Sequence, residues 1–174
     1  QGAQFLKVDL TGANLKETNL ARAYLEQSNF SKADLTGANL TDASIAASNF
    51  SDTKLENAVF DNTFAEGADF TNSKMNNIRG KNADFVSTKM TNADLTKAKL
   101  NNSNFTDANL DKAKFTNCQL KFSNFTGATA TNADFNSCNF YNLRAEDANF
   151  TNSDLSNTVL FGGILRNSIF ENAK

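Results

Sequence analysis

The chain of 174 residues contains no His, no Pro and no Trp, and only two Cys, two Met and two Tyr. The absence of His removes the side chain that most often moves protons near neutral pH and most often binds zinc. Imidazole-dependent catalysis is therefore excluded and most zinc chemistry is disfavoured. Cys118 and Cys138 are too few for a disulfide framework, and no CxxC pair points to a metal. The longest strongly apolar stretch, Val159 to Leu165, holds two glycines and is far too short to span a bilayer. No charged-then-apolar leader opens the chain. It lacks an initiating Met and begins in mid-pattern, so we expect a processed chain or a piece cut from a longer one. Charge of one sign is lacking too: 17 Lys/Arg against 19 Asp/Glu give a net charge of −2. Neither a nucleic-acid footprint nor a strongly acidic surface is announced. GxSxG, P-loop, GxGxxG, HExxH and EF-hand motifs are all missing. No catalytic, cofactor-binding or metal-binding residue is expected, and no cofactor.

What is present is a repeat. Of the 34 positions whose numbers are multiples of five, from Phe5 to Phe170, 30 hold Leu, Phe, Ile or Met. The exceptions are Ala65, Gly80, Ala130 and Ala145. Two places earlier in each unit stands a small residue, broken only at Val8, Ile78 and Leu143. A period of five matches neither the 3.6 of a helix nor the 2.0 of a long strand. On a helix, successive members would be rotated by about 140° and no apolar stripe would form. Asn, Asp, Ser and Thr fill most other places, and these favour turns over helix interiors. The chain must turn about every five residues, sending one large and one small side chain inward each time. Closed rings of such segments, stacked along an axis, make a solenoid in which each ring touches only its neighbours.

Segments such as Ala13-Asn14-Leu15, Ala33-Asp34-Leu35, Ala38-Asn39-Leu40, Ala93-Asp94-Leu95 and Ala133-Asp134-Phe135 resemble the A(D/N)LXX units of the pentapeptide-repeat family. The resemblance runs through the whole chain in one phase. It implies an all-β fold, a right-handed quadrilateral parallel β-helix with 20 residues per coil. Residues 1–174 then form a single domain of about eight to nine coils, roughly 40 Å long. Family members occur in cytoplasmic, periplasmic, thylakoid-lumen and exported settings, so the compartment stays open.

In that geometry the multiples of five form four interior ladders with members 20 apart. Phe85, Phe105 and Phe125 succeed one another in one ladder, and Phe30, Phe50 and Phe70 in another. Hydroxyls at the small position, as on Ser28, Ser48 and Thr53, must bond to backbone to avoid a desolvation penalty. Large and small places are exchanged at Ile78/Gly80 and Leu143/Ala145, which conserves interior volume. At Phe64/Ala65 the large group shifts one place, toward solvent. Ala128/Ala130 has no such compensation, and a small void or a shift of the wall is expected there. Cys118 and Cys138 stack one coil apart, with Cα atoms about 4.8 Å from each other. A disulfide fits that spacing, and inert filling by two thiols is the simpler expectation.

Function must lie on the surface. The column Asn14, Asp34, Lys54, Lys74, Asp94, Lys114, Asp134, Asp154 mixes both signs, and only Asp134 and Asp154 are neighbouring acids. Some members of the family protect DNA gyrase by mimicking duplex DNA, which requires a continuous negative stripe. That alternative is disfavoured by the mixed charge, by the absence of a phase-breaking loop and by the absence of a terminal dimerisation helix. The favoured expectation is a non-enzymatic rigid rod that binds or scaffolds an unidentified protein partner, with neither nucleic acid nor a membrane span involved. The candidate interaction or capping patch is Phe122, Tyr141, Val159, Phe161, Ile164 and Ile169. Self-association through the C-terminal end is the competing use of the same residues.

Overall fold

A computed structural model describes residues 3–174. Parallel bridges join each fifth residue to the one 20 places on, unbroken from Gln4 and Tyr24 to Asn149 and Ile169. The backbone is a β-helix with four walls per coil, and the expected coil length of 20 holds throughout. We number the walls by the residues they send inward. The first carries Phe5, Leu25 and onward to Leu165, and the second Leu10, Phe30 and onward to Phe170. The third carries Leu15 to Leu155, and the fourth Leu20 to Leu160.

The five-residue unit follows from satisfying its backbone. At every corner from Ala33 onward the small or exchanged residue's N–H donates to the carbonyl three places earlier, as Ala33 does to Phe30 at 2.9 Å and Ala93 to Met90 at 2.9 Å. Val8 and Ser28 donate instead to the serine hydroxyl one coil on. The turn's third residue has φ between 53° and 74° at every unit from Lys7 to Asn172. A positive φ there is the type II requirement, and it accounts for the wealth of Asn, Asp and Gly at these places. Three more donors bond to the neighbouring coils: Leu35 N to Lys54 O at 2.7 Å, Gly37 N to Glu56 O at 2.9 Å and Asp34 N to Ala13 O at 2.9 Å. One N–H per unit remains, on the residue after the large one. Where Asp or Asn stands two places before, its side chain accepts it, as Asn39 does for Thr41 at 3.0 Å and Asp69 for Thr71 at 2.9 Å. That is why Asp or Asn recurs just before the large residue. A missing acceptor would leave the donor without a partner inside the protein.

The interior is a continuous column of apolar side chains. Every multiple of five from Leu25 to Phe150 is fully buried. Phe30 stacks on Phe50 with centroids 4.7 Å apart and planes at 4°, and Phe85 stacks on Phe105 at 5.1 Å. Rings also meet across the bore, as Phe105 and Phe115 do edge-on at 5.9 Å. Each buried ring contributes about 1.5–3 kcal/mol before entropic costs. The hydroxyls find backbone carbonyls as expected: Ser28 donates to Phe5 O at 2.5 Å, Ser48 to Leu25 O at 2.7 Å, and Thr53 to Phe50 O.

The irregular units resolve individually. Ile78 and Leu143 are fully buried, so the exchanges with Gly80 and Ala145 take place inside the bore. Phe64 points outward and is 57% exposed. Ala130 is buried, and the rings flanking it in sequence, Phe125 and Phe135, reach each other across the bore at 6.1 Å. The two cysteines are free. Their thiols donate to Leu95 O and Phe115 O at 2.9 and 2.7 Å, the bond made by Ser103 and Ser123 at equivalent places. Burial pushes the Cys118 thiol well above its ordinary pKa, the reverse of what a nucleophile needs.

Candidate interaction face

The fourth wall and the corner leading from it to the first wall carry the rod's most unusual surface. Phe122, Tyr141 and Phe161 lie on successive coils along that corner. Phe122 meets Tyr141 edge-on at 5.6 Å, and Tyr141 stacks on Phe161 at 5.5 Å with planes at 18°. Phe122 and Phe161 are 53% and 70% exposed, a costly arrangement unless something covers them. Val159 stands beside them on the same wall, bridged to Asn139. The other two candidates lie elsewhere: Ile164, bridged to Arg144, is on the first wall, and Ile169, bridged to Asn149, is on the second. The structure thus gathers four of the six candidate residues and places two around the circumference.

Phe122 also sits at the left-handed turn position, with φ of 59°. No other aromatic residue does. A bulky residue there costs roughly 1–2 kcal/mol relative to Gly or Asn. In a Tyr141→Ser background, where the ring contact is already gone, Phe122→Asn is expected to stabilise the rod by about 1 kcal/mol. The check is the urea midpoint followed by circular dichroism; an unchanged midpoint would show that the turn is not strained.

The sequence columns leave a second feature of this wall unseen. Val59, Arg79, Lys99 and Gln119 occupy four consecutive places on this wall that lack the Asp or Asn acceptor found at about half of the equivalent places along the chain. Two of the four donors left over are caught from the coil before: Lys81 N by the Asp61 carboxylate at 2.9 Å, and Lys121 N by the Asn101 amide oxygen at 3.0 Å. Asp61 also pairs with Arg79 at 2.8 Å. Arg79, Lys81, Lys99 and Lys121 are all exposed and, with Phe122, line a groove of about 340 Å³. Reading each wall at 20-residue spacing would have found them.

Other sites offer less chemistry. Asp134 and Asp154 are bridged neighbours on the third wall. The Ser156 hydroxyl and N–H hold the Asp154 carboxyl below its ordinary pKa, the opposite of the shift a general acid needs. Lys16 and Lys54 both reach Asp34, at 3.4 and 3.6 Å, so this column alternates in sign. A larger groove of about 580 Å³ is lined by Glu56, Lys74, Asp94 and Lys97, again of mixed charge. Among the described residues no cluster of His, Cys, Asp or Glu could hold a metal, and no helix is long and apolar enough to cross a membrane.

Comparison with known proteins bears on the fold. No curated protein matches the chain significantly. Among solved structures, a trypsin-treated form of QnrB1, a plasmid-mediated fluoroquinolone resistance protein, superposes with a TM-score of 0.71. The two are 22% identical, over 98% of this chain and 91% of that one. HetL, a pentapeptide repeat protein involved in heterocyst differentiation regulation in the cyanobacterium Nostoc, is 21% identical over 98% of this chain and 84% of its own. Its TM-score is 0.45. The likeness to QnrB1 establishes the shared architecture, the right-handed quadrilateral β-helix. The family model for pentapeptide repeats matches in eight copies, over residues 3–42, 48–79, 81–117, 103–142, 118–157 and 138–174. With the five-residue turns and 20-residue coils described above, these matches make the chain a member of the pentapeptide repeat family.

Proposed function

We propose that the chain is a non-enzymatic rigid rod that docks a protein partner on its fourth wall and the adjoining corner. The observation that carries this reading is the outward aromatic ladder Phe122, Tyr141 and Phe161, continuous over three coils and kept in place despite the left-handed backbone at Phe122. Exposed aromatic residues on a stiff surface are the usual anchors of protein interfaces, because they bury much area and lose little side-chain entropy. The rod adds preorganisation: its backbone donors are tied coil to coil, so docking costs little ordering. DNA mimicry would need an unbroken acidic stripe, whereas Lys16, Asp34 and Lys54 interleave on the third wall and the fourth wall is cationic.

The double substitution Tyr141→Ser/Phe161→Ser tests the reading. We expect wild-type circular dichroism and melting, with partner affinity down at least about tenfold, or ~1.4 kcal/mol. In-cell cross-linking would report partner capture and sedimentation the oligomeric state. If both are unchanged in the variant, the ladder is not a docking site.

A further inference from the structure

Resting on that docking reading, we infer that the partner presents an acidic segment with an apolar side chain beside it, the acids lying on the cations of the fourth wall and the apolar group on the aromatic ladder. From Asn76 to Gly162, the outward positions of this wall and its two flanking corners contain no Asp or Glu. They contain Arg79, Lys81, Lys97, Lys99 and Lys121, all exposed. On a chain whose net charge is −2, this is a concentrated field of one sign. Asp61, on the preceding coil, makes its salt bridge to Arg79 alone. Among the described residues Lys81, Lys99 and Lys121 form no salt bridge, so their charge is available to a partner.

The cations also replace residues that the fold itself would favour. Arg79 and Lys99 stand where Asp or Asn would accept a backbone N–H, and that of Lys81 is rescued from another coil. Along the rod axis the cations of the groove run directly into Phe122 and then Tyr141 and Phe161, so charge and apolar area form one continuous surface.

A polyanion of nucleotides would also be drawn to lysines and aromatic rings. The ladder disfavours it. Tyr141 and Phe161 stack on each other, which covers one face of each ring, whereas bases need free ring faces. Ring edges and a groove suit a side chain of a protein segment better.

The test uses fluorescence anisotropy of a labelled glutamate-rich peptide carrying one Phe, with a labelled oligothymidylate of similar charge for comparison. The proteins are wild type, Lys81→Gln/Lys99→Gln/Lys121→Gln, the corresponding Lys→Glu triple variant, and Tyr141→Ser/Phe161→Ser. We expect the wild type to bind the peptide more tightly than the oligothymidylate. The neutral variant should lose about tenfold, the reversed variant should not bind, and affinity should fall with added salt. Failure of the folded wild type to bind the peptide, equal binding by the Gln variant, or tighter binding of oligothymidylate would each overturn the inference. In-cell cross-linking separates the two ideas. Partner capture lost in the aromatic variant but kept in both lysine variants sinks the acidic partner and spares the ladder; capture kept in all of them sinks both.

Discussion

Phe105→Ala is expected to destabilise the rod by about 3–5 kcal/mol. Phe105 is fully buried and lies between Phe85 at 5.1 Å and Phe125 at 4.8 Å, with Phe115 edge-on at 5.9 Å. Its removal forfeits the transfer free energy and three ring contacts. Its neighbours cannot close the gap, because each is held in register by backbone bonds to the coils on either side. Position along the axis matters as well. In a stack where each coil contacts only its neighbours, a weak central coil uncouples the two halves. The urea transition of the variant should therefore broaden as well as shift. Phe170→Ala, at a site 37% exposed, should cost far less. If the two truncations cost the same, burial in the bore is not the main source of stability.

The second large effect concerns a unit that breaks the repeat. Gly80→Leu restores the usual residue at a multiple of five, yet it is expected to destabilise by about 1–3 kcal/mol through overpacking. A Cβ at Gly80 would stand 2.9 Å from Leu100 Cδ2 and 3.2 Å from Phe60 Cβ. Leu100 can swing its methyl aside, but Phe60 Cβ is fixed to the backbone of the coil before. The space a large residue would need is already filled by Ile78. The double variant Ile78→Ala/Gly80→Leu should recover most of the loss, and the cycle of single and double variants measures the coupling. Additive costs in thermal melts would show that the two sites do not share one volume.

These two cases mark what can be read from the residues alone. The inward register is legible because one polar residue at a multiple of five would place an unpaired group in a dry bore; the period is the core. The exchanges at Ile78/Gly80 and Leu143/Ala145 are legible for the same reason, as volume compensation. The number of walls is not contained in the period, and it enters through the family resemblance. The left-handed turn residue is only half legible: Asn57 or Gly67 signals it, but Lys97 and Phe122 adopt it too, held by the turn bond and the stacked coils. At the surface, Tyr141 and Phe161 show themselves at a spacing of 20. The cations show themselves only when each wall is read at that spacing, because Arg79, Lys81, Lys99 and Lys121 are divided between two repeat positions and spread over three coils. No linear window gathers them; only the winding does. Ile164 and Ile169 fail in the opposite way, close in sequence yet carried to separate walls by successive turns.

The coil of 20 built from units of five gives the rod a ratchet. Deleting one residue would bring the mostly polar residues just before and just after each later large residue into the inward places. Deleting one unit leaves every inward residue in an inward place. Such a loss acts as a quarter-turn crank: the downstream rod is rotated by one wall relative to the upstream rod. Removal of one unit between Phe122 and Tyr141 would preserve the core and carry Tyr141 and Phe161 away from the lysines. Surface patterns on this molecule can thus be re-dialled without redesigning its interior.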